Sequence, residues 1–223
     1  MTGREAKDAL YTQFSRLGKA VSNPRRIELL ELLAQTERSV EELASLSGMD
    51  FANTSAQLQV LSRARLVEGR RQGKRVVYRL SDQSVVGFLA SLRELSRARL
   101  AEVEEVARDY FYARDHLEPI SSEELIRRLG DGQALVIDVR PAEEYAAGHI
   151  PGALSVPLLN LRDRILDLSR GLEIVAYCRG PYCVLAPQAV EALRDAGLQA
   201  RRLREGFPEW RLAGLPIEAG TAS

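Results

Sequence analysis

Residues 174–186 read IVAYCRGPYCVLA. Ile174–Tyr177 is a short apolar run of the kind that forms a buried strand. Cys178 follows it at once. The stretch from Val184 to Ala196 then has helical composition, and Gly197 closes it. A thiol therefore stands in a short loop between the end of a buried strand and the start of a helix. Backbone N–H groups converging in such a loop, and the positive end of the helix, both stabilise a negatively charged sulfur. Both lower the thiol pKa, which makes Cys178 a candidate nucleophile.

The same alternation continues outward from this loop. LVIDVR at 135–140 is a second buried-strand run, AEEYAAGH at 142–149 a short helix, and IPGALSVPL at 150–158 a loop and strand. Residues 198–203 return to strand. SSEEL at 121–125 starts a capped helix. Strands alternating with helices indicate an α/β domain with a parallel sheet, here over 120–218, with 219–223 as a tail. The segment LEPI at 117–120 breaks the pattern that precedes it, and the linker is placed at 116–119.

Upstream the pattern is different. Residues 5–20 carry Leu10, Phe14 and Leu17 at helical spacing. Asn23-Pro24 is a helix start, with the asparagine as cap and the proline at the first helical position. RRIELLELLAQ follows, with Ile27, Leu30 and Leu33 on one face. Ser39 and Glu42 fit a capping box and open a short helix that Gly48 stops. Asp50 caps the next one, FANTSAQLQVLSRA. Two short helices about a glycine turn, with Leu43, Leu46, Leu58 and Leu61 as buried positions, read as a helix-turn-helix. LVEGRRQGKRVVYRL then reads as a β-hairpin with a basic tip, which makes the whole a winged helix. Residues 82–115 carry apolar residues at spacings mostly of three and four. As one helix they would be about 50 Å long, too long for one small core to cover, and they are read as a dimerisation helix. The expected domain is thus mainly α, a winged helix-turn-helix with its dimer helix over 1–115.

The 223 residues contain 31 Lys and Arg against 31 Asp and Glu, so net charge excludes neither nucleic acid nor any other partner. The distribution is informative. Between Phe51 and Arg79 stand seven basic residues and one acid, Glu68, a candidate phosphate footprint. No window approaches the roughly 18 consecutive apolar residues of a membrane span. The N-terminus lacks the apolar core of a signal peptide, so a cytoplasmic protein without membrane attachment is expected. Two cysteines are too few for a disulfide framework or a four-cysteine metal site.

Two resemblances follow from these motifs. NPRRIELLELLA, the Gly48-Met49 turn, QLQVLSRARLV and GRRQGKRVVYRL, in that order, resemble the ArsR/SmtB-type winged-helix repressors over residues 5–112. The resemblance implies a homodimer, held by the 82–115 helix, on double-stranded operator DNA. Asn53, Thr54, Ser55, Gln57 and Gln59 are then the polar groups available to bases. Arg63, Arg70, Arg71, Lys74 and Arg75 would hold phosphate or the minor groove. Metal-sensing members use cysteine pairs or Asp/His sets, and neither is visible: TERSVEELAS has no cysteine, and Asp109 and His116 lack a second histidine. No metal and no cofactor are expected.

VIDVRPAEEYAAGHIPGALSVPL and GFPEWRLAGLPI resemble the opening and closing motifs of a rhodanese domain. This resemblance implies that Cys178 accepts a sulfane sulfur and that Arg179, Gly180, Tyr182, Cys183 and Val184 build the cradle around it, with Arg179 able to add charge or bind an anionic donor. Two departures count against efficient thiosulfate turnover. Cys183 stands where such loops commonly carry a basic residue, and Pro181 supplies no N–H. Cys183 is either a resolving thiol, attacking a Cys178 persulfide to leave a disulfide, or a packing residue at the helix start. Asp138, Arg140, His149 and Trp210 read as structural.

The expected function is a transcriptional regulator, a repressor by resemblance, that senses reactive sulfur or oxidant at Cys178. The donor would be thiosulfate, a persulfide or a polysulfide. The alternative is a sulfurtransferase with an accessory winged helix. A weaker alternative is an arsenite or antimonite sensor using both thiols.

Overall fold

A computed structural model describes residues 1–112, 119–165, 168 and 171–220. The 116–118 part of the expected linker, His116, the 113–115 end of the expected dimer helix and the 221–223 part of the tail lie outside the described residues. The chain forms two compact units, Met1–Leu89 and Ala90–Ser223. No helix among the described residues is long and apolar enough to cross a membrane.

The first unit opens with α1 (Gly3–Val21) and α2 (Pro24–Leu33). The Asn23 side chain caps α2 by accepting from the N–H groups of Arg25 and Arg26. Two-residue β1 (Arg38–Ser39) and α3 (Val40–Ser47) follow, and Ser39 and Glu42 form the expected capping box. Gly48 ends α3 in the left-handed conformation at φ +65°, which glycine adopts without Cβ strain. Asp50 then caps α4 (Phe51–Arg63). Strands β2 (Val67–Gln72) and β3 (Arg75–Leu80) are antiparallel, and Gln72 pairs with Arg75, so Gly73 and Lys74 alone make the turn. The ladder thus runs through Arg70 and Arg71, and the loop is shorter than the basic tip expected from sequence. The sheet order is β1-β3-β2.

The core of this unit gathers Leu29, Leu30, Leu33, Leu43, Leu58 and Leu61 with Val85 and Leu89. Leu46 is more than a third exposed, against its expected burial. It lies on α3 three residues from buried Leu43, at the edge of the buried face.

The 82–115 pattern is not one helix. It forms α5 (Ser84–Arg99), an extended Leu100 at φ −113° and ψ 106°, α6 (Ala101–Ala107) and a π-helical turn over Arg108–Tyr112. The charges explain the break. Arg97 and Arg99 lie in the last turn of α5, and Glu102 and Glu104 in the first turn of α6. Cations favour a helix C-terminus and anions an N-terminus, so one helix ends where another begins. Apolar periodicity is blind to that.

In the second unit α7 (Ser122–Gly130) leads to β4 (Ala134–Asp138), α8 (Ala142–Ala147), β5 (Leu154–Ser155), the short α9 (Leu161–Arg164), β6 (Glu173–Tyr177), α10 (Leu185–Asp195), β7 (Ala200–Arg202) and α11 (Phe207–Leu212). The sheet is parallel in the order β5-β4-β6-β7. The chain moves outward to β5 on one side of β4 and to β7 on the other side of β6. In open parallel sheets the crevice at that switch point, beyond the carboxyl ends of the strands, is where ligands bind. Cys178 is the residue immediately beyond the carboxyl end of β6.

Candidate functional site

The strand ends beneath the loop are fixed by a buried polar network. Asp138 ends β4 and pairs in register with Tyr177, which ends β6. The Tyr177 hydroxyl donates to Asp138 Oδ2 at 2.6 Å and accepts from Ile150 N–H at 3.1 Å. Arg140 donates to both oxygens of Asp138 and to the Gly148 carbonyl, and its guanidinium lies 4.3 Å from the centre of the Phe207 ring. Asp138 and Arg140 are fully buried, a placement that is tolerable only because each charge is paired and hydrogen-bonded. His149 stacks on Tyr145 with ring centres 3.7 Å apart, and its Nδ1 lies 2.9 Å from the Tyr145 carbonyl. Trp210 is in the core and donates to the Pro216 carbonyl.

Cys178 is 3% exposed, and its thiol faces the carbonyls of Gly180 and Cys183 at 3.9 and 3.7 Å. Cys183 is half-buried. The loop turns back through the Cys183 N–H to Gly180 carbonyl bond at 3.1 Å. That turn brings the second thiol into hydrogen-bond contact with the first. Val184 precedes α10 without a side-chain cap, so the first amides of the helix are free for another acceptor. The sulfurs take them. Ala186 and Gly180 donate to Cys178, while Leu185 and Arg179 donate to Cys183.

The two thiols are unequal. Burial pushes the Cys178 thiol well above its ordinary value, with the neighbouring Cys183 adding to the effect. The hydrogen bond from Cys178 lowers Cys183 to about 7, against the opposing effect of burial and with help from the Leu185 and Arg179 amides. The pair holds one readily lost proton, and the resulting charge rests on Cys183.

Arg179 is paired with a buried carboxylate, and its charge still helps to lower Cys183. It donates from Nε to both oxygens of Glu144 and from Nη2 to Oε1 at 2.7 Å, and the Glu144 side chain is fully buried. The cation expected to meet an anionic donor is engaged by a carboxylate that sequence reading did not single out. Glu144 lies in the quoted helix AEEYAAGH, but nothing local says which of its two glutamates turns inward. Gly206 was missed too. A Cβ there would lie 2.2 Å from Gly180 N and 2.3 Å from its Cα, so only glycine lets the 206–207 backbone lie against the loop, where Phe207 N–H donates to the Cys178 carbonyl at 3.0 Å. Its signal was present in GFPEW, where a glycine precedes a short helix with a glutamate three residues later.

In the first unit, Asn53, Gln59 and Arg63 on α4 are exposed and Ser55 is half-buried. Thr54 corrects the expectation. It is fully buried, and its hydroxyl donates to the Asp50 carbonyl at 2.9 Å. A threonine at this position faces the core with Leu58 and Leu61, one and two turns further on. Gln57 is half-buried, accepting from Arg26 and donating to Asn53. Arg70, Arg71, Lys74 and Arg75 are all exposed along the hairpin, and Arg70 pairs with Glu37.

The chain is 46% identical to the HTH-type transcriptional regulator Rv0324 of Mycobacterium tuberculosis, over 97% of this chain and 95% of that one. It belongs to that family of regulators. Residues 121–213 of this family member match the rhodanese-like domain, and residues 21–85 match the family described as HVO_A0114. Its second unit is similar to a sulfurtransferase of Allochromatium vinosum, 35% identical over 45% of this chain and 94% of that protein. Its first unit is similar to the homodimeric winged helix-turn-helix DNA-binding domain Mb0332 of Mycobacterium bovis, described as a possible ArsR-family regulator. That match has 41% identity over 45% of this chain and 91% of the other, at a TM-score of 0.41. The regulator joins a winged helix-turn-helix unit to a rhodanese-like domain with a parallel sheet, as the motifs implied.

Proposed function

We propose that this regulator is a dimeric operator-binding repressor whose affinity for DNA is set by sulfur carried on Cys178. The functional division is a winged-helix and dimerisation part over 1–115 and a rhodanese part over 120–218. The observation that carries the reading is the pair of hydrogen-bonded thiols over amides of the loop and the α10 N-terminus, in a chain whose relative over nearly its whole length is named a transcriptional regulator. The dimer reading draws on exposed apolar residues. Phe88, Leu95, Leu100 and Val106 are exposed along the helical segment, and Leu10, Tyr11, Phe14 and Leu17 along α1.

The chemistry runs through both thiols. Cys178 passes its proton to the Cys183 thiolate and attacks the outer sulfur of a persulfide or polysulfide. The donor S–S bond breaks, its thiolate leaves, and Cys178 carries a persulfide. Cys183 then attacks the Cys178 sulfur and expels sulfide, so two thiols are oxidised to a disulfide while the sulfane sulfur is reduced. Because Arg179 is engaged by Glu144, a thiol persulfide or polysulfide suits the site better than dianionic thiosulfate. A sulfurtransferase reading is favoured by the similarity to the Allochromatium protein. It shares the first step and differs in passing the sulfur to an external thiol.

The test is operator affinity of the reduced and polysulfide-treated protein, with intact mass taken on the same samples. A gain of about 32 mass units or a loss of two hydrogens, together with a large fall in affinity, supports the regulator. Modification with unchanged affinity overturns it in favour of the enzyme. Cys178→Ser should abolish the mass change and leave DNA binding by the reduced protein intact. Loss of binding by that folded variant contradicts the division of labour.

A further inference from the structure

The loop that holds both sulfurs is gripped from outside by groups the chemistry above does not use. Gly206 lies flush on Gly180, with no room even for a methyl group. Its N–H donates to Glu209 Oε2 at 3.0 Å. The same carboxylate oxygen would be 3.9 Å from a Cβ on Gly180, which puts it within van der Waals reach of the loop. The other oxygen, Oε1, accepts from Arg93 Nη2. The ion pair is shielded, with side chains 19% and 15% exposed. Burial raises the Glu209 carboxyl, and Arg93 and the Glu209 and Gly206 amides oppose that rise.

Arg93 belongs to α5. It stands one helical turn beyond Leu89, on the same face, and Leu89 is a core residue of the first unit together with Val85. Leu89 is the last residue of the first unit, and Arg93 lies in the second. Other contacts within the second unit also reach the loop and α10. Phe111 packs on Tyr182, the neighbour of Cys183, with ring centres 5.6 Å apart. Gln188 of α10 donates to the Tyr110 hydroxyl.

We propose that Arg93 and Glu209 are positioning residues that transmit the state of the sulfur loop to α5. The proposal rests on the sulfur-sensing reading above and names its regulation. Cys178 is 3% exposed, and an added sulfur extends it by about 2 Å. A close-packed interior answers such an addition by moving its neighbours. Gly206 has no slack against Gly180, so displacement of the loop passes to the 206–209 turn. There it is felt by a shielded ion pair whose geometry tolerates little change. The reduced loop therefore holds α5 at Arg93, and the modified loop alters that hold.

The experiment compares wild type with Arg93→Gln and with Arg93→Lys. Operator affinity is measured before and after polysulfide treatment, with intact mass throughout. Arg93→Gln is expected to bind operator as wild type when reduced, to gain the same mass, and to lose at least tenfold of the affinity change that modification causes. Arg93→Lys, which keeps the cation and leaves Glu209 in place, is expected to restore much of that change, which a general loss of stability would not. If Arg93→Gln keeps the full wild-type response, the coupling is overturned while the sulfur-sensing reading stands. If the wild type takes up sulfur with no change in affinity, both fall. If Arg93→Gln fails to bind operator when reduced, Arg93→Lys decides: binding with a wild-type response supports the ion pair, and any other result overturns it. Coupling is reciprocal, so operator should oppose sulfur uptake in wild type by the same factor, and less in Arg93→Gln.

Discussion

Cys183 gives up its proton before Cys178 because the buried thiol donates to it. The leading cause of its low value is that single hydrogen bond, with the Leu185 and Arg179 amides second to it. The thiolate is the reactive form, so alkylation of Cys183 by iodoacetamide should rise with pH through a midpoint near 7. Removing the donor by Cys178→Ala should move that midpoint upward, toward an ordinary thiol. Rates read by peptide mass against pH check this, and a midpoint unmoved in the variant would show that the amides alone hold the charge. Arg179 makes the complementary point. Its residue type suggested an anion receptor, but its guanidinium is engaged by Glu144.

At the scale of elements, the strand ends position the site. β4 and β6 are neighbours, and Asp138 and Tyr177 close them as a hydrogen-bonded pair directly before Cys178. Tyr177→Phe removes a donor from Asp138 and leaves the Ile150 N–H without its hydroxyl acceptor. A buried donor stripped of its partner costs about 1–3 kcal/mol. The urea midpoint should therefore fall while the slope is unchanged, and an equal midpoint would mean that another group replaces the hydroxyl. Elements also show where sequence reading succeeds and fails. Asn23, Ser39 and Asp50 cap the helices they were expected to cap, since a cap depends on residues three or four positions away. The 82–115 helix broke at Leu100 because apolar spacing carries no information about where a helix should end. The charges at Arg97, Arg99, Glu102 and Glu104 do carry it.

At the scale of the whole molecule, an overall neutral chain carries a local excess of positive charge on one hairpin. Arg71 and Lys74 are exposed there, and Arg71 bonds only within its own turn, to Gly73, among the hydrogen bonds described. Each cation withdrawn from a phosphate lowers the salt slope of DNA binding by about 1. Replacing both residues by Ala should weaken binding to all DNA sequences alike and lower the slope by about 2. Fluorescence anisotropy at several salt concentrations measures it, and an unchanged slope would remove the wing from the interface. Thr54 is withdrawn into the core, which leaves the exposed polar groups of α4 for the proposed base recognition.

By itself the sequence determined the two-part organisation, the helix starts, the wing and the position of Cys178 after β6. Each of these is written in contiguous residues, as an apolar period, a cap or a turn, and local sterics and hydrogen bonding suffice to read it. The tertiary structure alone decided that Cys183 reaches Cys178, that Glu144 takes Arg179, that Thr54 faces inward, and that Gly206, Glu209 and Arg93 converge on the loop. Burial and ion pairing depend on which distant segments the fold makes neighbours. Arg93 and Glu209 are 116 positions apart, and no pattern within either stretch names the other.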